Sequence, residues 1–164
     1  MEALRQFQTP RKSLGDLNPE VAAAIIAAAA DVALVIDGSG VIRDIAFGND
    51  DLTLDGHTLW LGQPWADTVT VESRAKVQEL LDEAAARTVS RWRQVNYASN
   101  TGADVPILYS AIQVGNRGRV VVVGRDLRLI SSLQQRLIEA QQSVQRDFER
   151  VRHAETRYRL LFQI

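Results

Sequence analysis

Two histidines and three tryptophans are the residues whose types invite cofactor chemistry. His57 lies close in sequence to Trp60 and Trp65, and an imidazole there would suit the axial position of a haem iron. A polar loop histidine is the simpler reading of His57 and is preferred here. Trp60, Trp65 and Trp92 could line a flavin, but large aromatics in a small mixed domain more often fill the core. No cofactor is therefore expected in this segment, neither haem nor flavin. No metal site is expected either: cysteine is absent, which removes thiolate ligands, disulfides and a cysteine nucleophile. Enzyme motifs are missing as well. There is no P-loop, GxSxG elbow or HExxH, and the two histidines stand far apart. The acid pairs Asp50-Asp51 and Asp82-Glu83 fall in a loop and on a helix face, where solvation explains them. No catalytic residue and no enzyme activity are expected.

The surrounding scaffold follows from length, charge and pattern. The chain has 164 residues, 46% apolar and 24% charged, enough for one domain plus one extra element. Lys and Arg total 19 against 20 Asp and Glu, a balance that argues against a nucleic-acid surface. The longest apolar run, Val21 to Ala30, is Ala-dominated and ends at Asp31, short of the ~20 residues a membrane span requires. The N-terminal stretch, with Glu2, Arg5, Arg11 and Lys12, lacks the apolar core of a signal peptide, so the cytoplasm is expected and no membrane contact. Charge divides near Gly124. Met1 to Gly124 carries net −4 and Arg125 to Ile164 net +3, and Gly, Pro and Trp vanish after Gly124 while Gln and Arg become frequent. A globular unit gives way there to something of another kind.

Within the globular part, Asn18-Pro19-Glu20 opens a helix: Asn at the N-cap, Pro at the first helical position and an acid facing the helix dipole. It should run to about Ala30. Val32 to Ile36 and Val41 to Phe47 flank Asp37-Gly38-Ser39-Gly40, a hairpin signal. Gly48 to Gly62 reads as a loop with short helical turns. From Thr70 the pattern is helical, with Val77, Leu80, Leu81 and Ala84 on one face, ending near Arg87. Three strand-like runs follow, Arg91 to Ala98, Val105 to Val114 and Arg119 to Arg125, joined by turn sequences. The order predicts an α+β fold, a five-stranded antiparallel sheet with helices on one side. The expected core includes Val35, Ile36, Trp65, Leu80, Leu81, Val121 and Val123.

The last forty residues carry a heptad pattern. Positions a are Ile130, Leu137, Val144, Val151 and Tyr158, and positions d are Leu133, Ala140, Asp147, Ala154 and Leu161. Nine of these ten seam positions can pack against a partner, and an isolated helix would leave the stripe wet. A coiled coil is expected, most simply a parallel dimer. Asp147 breaks the seam: a buried acid there would fix register, whereas a solvated Asp147 would let Phe148 turn into the gap. The arginines Arg128, Arg136, Arg146, Arg150 and Arg157 alternate with Glu139, Glu149 and Glu155, which points to salt bridges between helices and not to DNA phosphates.

Several of these stretches carry a resemblance. Val32 to Asp37 with Gly38-Ser39-Gly40, then Leu61-Gly62-Gln63-Pro64-Trp65-Ala66-Asp67, then Val120 to Arg128, together resemble a PAS domain over about residues 18 to 128. The resemblance implies that Gly124, Arg125 and Asp126 couple the last strand to an outgoing helix, and Asp126 is also a candidate N-cap for that helix. The Gln-rich helix resembles the Q-linker of the PpsR/CrtJ repressors of photosynthesis genes, and Arg157-Tyr158-Arg159-Leu160-Leu161-Phe162 is similar to the opening of another PAS domain. The implied organisation is an N-terminal extension (1–17), a PAS-like domain (18–126), a Q-linker coiled-coil helix (127–157) and the truncated start of a further PAS domain (158–164). The implied function is assembly and signal relay in a repressor controlled by redox and light through an AppA-type flavoprotein antirepressor. Self-association as a homodimer or homotetramer follows, with DNA read only by a C-terminal helix-turn-helix outside this chain. A second resemblance is fainter. His153-Ala154-Glu155 is similar to the phosphoacceptor helix of a sensor histidine kinase, but Arg157-Tyr158-Arg159 follows where that family has Arg-Thr-Pro.

Overall fold

A computed structural model describes residues 6–48, 52, 54 and 56–162; the side chains of residues 158 and 160–162 lie outside that description. The chain divides into two compact units, Met1–Asp126 and Leu127–Ile164.

In the first unit α1 (Pro10–Ser13) occupies part of the stretch expected to be plain extension, with Pro10 in its first turn and the Ser13 hydroxyl donating to the Thr9 carbonyl. Helix α2 (Pro19–Ala29) starts as its sequence dictates. The Asn18 side chain accepts the Val21 N–H at 2.8 Å, Pro19 takes the first turn and Glu20 faces the dipole. Strands β1 (Val32–Ile36) and β2 (Ile42–Phe47) form the expected hairpin. Its turn is organised by Asp37, whose Oδ1 accepts from the Ser39 N–H, the Ser39 hydroxyl and the Val41 N–H, while Oδ2 takes the Arg43 guanidinium at 2.7 Å. These donors, the Ser39 hydroxyl first and Arg43 next, hold the Asp37 carboxyl well below the usual carboxylate range. A depressed pKa stabilises the fold above the ordinary carboxylate value and loses that contribution as pH falls below it. Thermal melting of Asp37→Asn should therefore start below the parent at pH 7 and decline less between pH 5 and pH 3. Parallel pH curves would contradict this role.

Between the hairpin and the rest of the sheet lie a 3-10 turn at His57–Leu59, α3 (Trp65–Thr68), a second 3-10 turn at Val71–Ser73 and α4 (Arg74–Arg87). The part of the Gly48–Gly62 loop expected to hold helical turns includes residues 49–51, 53 and 55, outside the described residues, and with them the Asp50-Asp51 pair. The α-helix begins four residues after Thr70 because Ser73 is committed elsewhere: its hydroxyl accepts the Asn96 N–H, and Thr70 N–H donates to the Asn96 carbonyl. Strand β3 (Arg93–Tyr97) likewise starts later than the pattern. The Arg91 N–H donates to Glu83 and not to a strand, whereas Ser90 before it still bonds Ala111, its N–H donating to the Ala111 carbonyl and its hydroxyl accepting the Ala111 N–H. Arg93 then pairs with Glu79 and Glu83 of α4, tying helix to sheet. Strands β4 (Val105–Val114) and β5 (Arg119–Asp126) complete a five-stranded antiparallel sheet of order β2-β1-β5-β4-β3.

Helices α3 and α4 cover one face of this sheet. Beneath them lie Leu34, Ile36, Val95, Ile107, Tyr109 and Val122, all fully buried, against Trp65, Val77 and Leu80. Of the expected core, Ile36, Trp65 and Leu80 are there, and Leu81 packs at its margin. Val35, Val121 and Val123 are a correction: they lie on the opposite face, half-buried beside α2, where Ala23 and Ile26 share a shallow groove with Ala33, Val35 and Val121. The register explains it. Leu34 pairs with Val122 and Ile36 with Val120, so the intervening Val35 and Val121 must point the other way.

The second unit is one helix, α5 (Arg128–Phe162), unbroken through the stretch expected to open another domain. Its N-cap is a second correction. Asp126 is still paired with Ile107 in the sheet, and the first helical N–H bond runs from Ser131 to the Leu127 carbonyl at 2.8 Å, so Leu127 and not Asp126 holds the cap position.

Candidate functional site

The interior between sheet and helices is a hydrogen-bonded aromatic cluster. The Trp65 indole N–H donates to the Tyr97 hydroxyl at 3.2 Å, and the Tyr97 and Tyr109 hydroxyls share a bond of 2.7 Å. Trp60 stacks on Tyr97 with ring centroids 4.7 Å apart, and Trp65 meets Tyr109 edge-on at 5.4 Å. Burial pushes the Tyr97 phenol up to about 12 and the Tyr109 phenol well above its ordinary value, so both stay neutral and act as packing and hydrogen-bonding groups. Trp92 departs from the expected core role. It is 44% exposed on the opposite sheet face, just before β3 begins, next to Arg91, whose N–H turns to Glu83 of α4. The Arg125 guanidinium lies over its ring at 4.8 Å.

His57 is held by the fold. Its Nδ1–H donates to the Leu54 carbonyl at 2.8 Å and its ring stands edge-on to Phe47 at 5.0 Å, an arrangement that anchors the loop over β2. Among the described residues no three His, Asp or Glu side chains gather as a metal-binding group.

The three residues expected to couple sheet to helix sit at the end of β5, and each has a distinct neighbour. Gly124 faces Tyr109 across the ladder, so closely that a Cβ at Gly124 would lie 2.5 Å from the Tyr109 ring and 2.8 Å from Val32. Arg125 covers Trp92. The Asp126 N–H donates to the Asp31 carboxylate at 2.8 Å. Sequence reasoning missed Asp31, using it only to end an apolar run. It is the junction at the end of this central strand: its N–H donates to the Gly124 carbonyl and its own carbonyl accepts from Gly48, at 2.9 Å each. The available signal was an acid placed between an apolar helix and an apolar strand.

Two apolar surfaces are open. On α5, Ile130, Leu133, Leu137, Val144 and Val151 are all at least half exposed. Ala140, Val144 and Phe148 line one groove along that helix with Gln141 and Gln145. Asp147 sits outside it, solvent-exposed and 4.0 Å from Arg150. The seam positions Tyr158 and Leu161 have side chains outside the described residues, Ala154 is exposed, and so is His153. On the first unit, no residue of α2 is fully buried although ten of its eleven residues are apolar or Pro. Ile25, Ile26, Ala29 and Val123 line a groove that ends at Trp92 and Arg125.

Comparison with solved structures bears on the first unit. The PAS domain of a protein from Colwellia psychrerythraea superposes with a TM-score of 0.52 at 15% identity, covering 65% of this chain and 94% of that one. The fold is a PAS fold. No family model matches the chain. Protein CrtJ of Rhodobacter capsulatus is 27% identical over 157 residues, which is 96% of this chain and 33% of CrtJ, so the similarity takes in both the PAS domain and α5. The chain thus spans about a third of the length of the curated relative it matches. No helix among the described residues is long and apolar enough to cross a membrane.

Proposed function

We propose that this chain is the oligomerisation and signal-relay region of a PAS-containing transcriptional repressor of photosynthesis genes. The observation that carries the reading is the continuous apolar stripe exposed on α5, in a chain similar to CrtJ along nearly its whole length. Helix α5 pairs protomers as a coiled coil, and the open face of the PAS sheet adds a second self-association surface that permits tetramers. Redox or light control arrives through an AppA-type flavoprotein antirepressor, which competes for these surfaces and shifts the oligomer population. DNA is read by a C-terminal helix-turn-helix beyond these residues, and the protein works in the cytoplasm. The segment itself holds no cofactor, a reading supported by Trp65, Tyr97 and Tyr109 filling the space between sheet and helices. The alternative of a histidine kinase linker around His153 has less support, because the similarity to CrtJ runs across that helix as well.

Light scattering after size exclusion tests the assembly. The parent chain is expected to be a dimer or tetramer, and Leu137→Asp and Val144→Asp each to drop to a smaller species while circular dichroism shows the PAS domain folded. A carboxylate at a packed seam position leaves a buried charge on each protomer and costs several kcal/mol. Monomers for all three proteins would overturn the coil.

A further inference from the structure

We infer that the cleft between α4 and the β1–β2 and β4–β5 turns is a binding site for a small aliphatic primary amine, with Asp82 as its counter-charge.

The cleft lies where the inner face of the sheet ends. Across that end Ile36, Val120 and Gln113 form one row, Ile36 pairing with Val120 and Val120 with Gln113. Gln113 continues the inward line of Tyr109 and Ala111, so an amide stands where an apolar side chain would close the core. Helix α4 changes character at the same place. Its buried Val77, Leu80 and Ala84 are flanked by Gln78, Leu81, Asp82 and Ala85, a second stripe at i, i+3, i+4 and i+7 that borders the opening. The two turns approach so closely that a Cβ at Gly38 would lie 3.2 Å from the Arg117 carbonyl oxygen. Glycines at 38, 40 and 118 leave that wall bare, and the space enclosed is about 290 Å³.

Charge and hydrogen-bonding capacity choose the ligand. The lining holds two carboxylates, Asp37 and Asp82, and no cation. Asp37 is already satisfied by the Ser39 and Val41 donors and by Arg43. Asp82 is not. Among the described residues no Lys or Arg pairs with it, and its Oδ1 accepts the Gln78 Nε2–H at 2.8 Å. Glu79 and Glu83 of the same helix both turn to Arg93, so the Asp82-Glu83 pair divides between two faces. Arg117 and Arg119, in and after the β4–β5 turn, are exposed and do not line the cleft. One carboxylate and the amide oxygens of Gln78 and Gln113 make an acceptor-rich rim, suited to the three N–H donors of an alkylammonium. Leu81, Ala85 and Val120 supply apolar surface for its carbon chain.

Titrating the 15N-labelled full chain with n-pentylamine at pH 7 and low salt tests the site. Saturable shifts are expected at the Gly38 and Gly118 amides and the Gln78 and Gln113 side chains, with a dissociation constant on the order of 1 mM. Pentyltrimethylammonium keeps the charge but has no N–H, and should bind at least about fivefold more weakly. Pentanoate, an anion facing Asp82, should not bind. Asp82→Asn and Gln113→Leu should each weaken pentylamine by about fivefold or more while the melting temperature stays within about 2 °C of the parent. Asp147→Asn, which removes an exposed carboxylate on α5, should leave the affinity unchanged. Equal affinity for pentylamine and its trimethylated analogue, or an Asp82→Asn protein that binds as the parent does, overturns the proposal. So does a lack of saturable shifts up to about 20 mM amine.

Discussion

Replacing Gly124 with valine is expected to cost the PAS domain about 3 kcal/mol of unfolding free energy, enough to lower the melting temperature by roughly 10 °C for a unit of this size. The reason is space, not backbone conformation. A Cβ at residue 124 would sit 2.5 and 2.8 Å from two atoms of the Tyr109 ring and 2.8 Å from Val32. Tyr109 cannot yield easily, since its hydroxyl is bonded to Tyr97, its ring is set edge-on to Trp65, and it is fully buried. Val32 is equally buried at the start of β1, the strand paired to β5. Close packing leaves no slack, so the extra atoms must displace a strand or an aromatic ring. Chemical denaturation of Gly124→Ala and Gly124→Val measures the effect, which should be graded. In the double variant Gly124→Ala with Tyr109→Ala the loss should be smaller than the sum of the two single losses. A Gly124→Val protein within 0.5 kcal/mol of the parent would show that the contact relaxes freely. Because this residue also precedes Arg125 and the Asp31–Asp126 hydrogen bond, the same steric constraint fixes the end of the central strand β5.

How much of this was legible in the residues depends on whether local chemistry or tertiary context decided the outcome. The β1–β2 hairpin was readable because Asp37-Gly38-Ser39-Gly40 supplies its own turn: the carboxylate binds donors two and four residues ahead. The start of α2 was readable for the same reason, since Asn18, Pro19 and Glu20 act within one turn. The α5 stripe was readable because a heptad needs no tertiary information. Side-chain parity in Val32–Ile36 and Val120–Val123 was not: a run of apolar residues carries no alternation, and only the pairing of β1 with β5 chooses the inner set. Asp31 was overlooked because two of its three backbone and side-chain partners lie more than ninety residues away, at Gly124 and Asp126. Trp92 was misplaced because Glu83, from a helix, and Ala111, from another strand, bind the backbone and side chain beside it. The site residues that come from the junction of β1 and β5 are therefore the ones a linear reading could not assemble. Gly124 and Arg125 were singled out by a resemblance, and the geometry supplies physical reasons for both.

Phe148→Ala is expected to weaken self-association through α5 by about 30-fold or more, whereas Asp147→Leu should change it by less than about threefold. The seam offers two candidates at this level. Strict heptad spacing from Val144 reaches Asp147, while one further step reaches Phe148, and Ala140, Val144 and Phe148 share the open groove at successive intervals of four residues. An interval of four where three is due shifts the stripe locally around the helix and relaxes the supercoil there. Burying Asp147 would cost several kcal/mol, and its carboxylate already has Arg150 one turn away in solvent. Phe148, 64% exposed on the single helix, gains from burial what Asp147 would lose. Losing two such rings per dimer is worth at least about 2 kcal/mol, which is about 30-fold in a dissociation constant. Sedimentation equilibrium across a concentration series gives both constants directly. If Asp147→Leu tightened the complex by two decades and Phe148→Ala had no effect, the strict heptad would hold and the acid would lie in the seam. With the acid outside the seam, the proposed coil would be weakened only by its two narrow alanine layers at Ala140 and Ala154. A coil of that kind would dissociate within reach of changes in protomer concentration, and under the proposed function an antirepressor that occupied a single surface would shift the population without unfolding either unit.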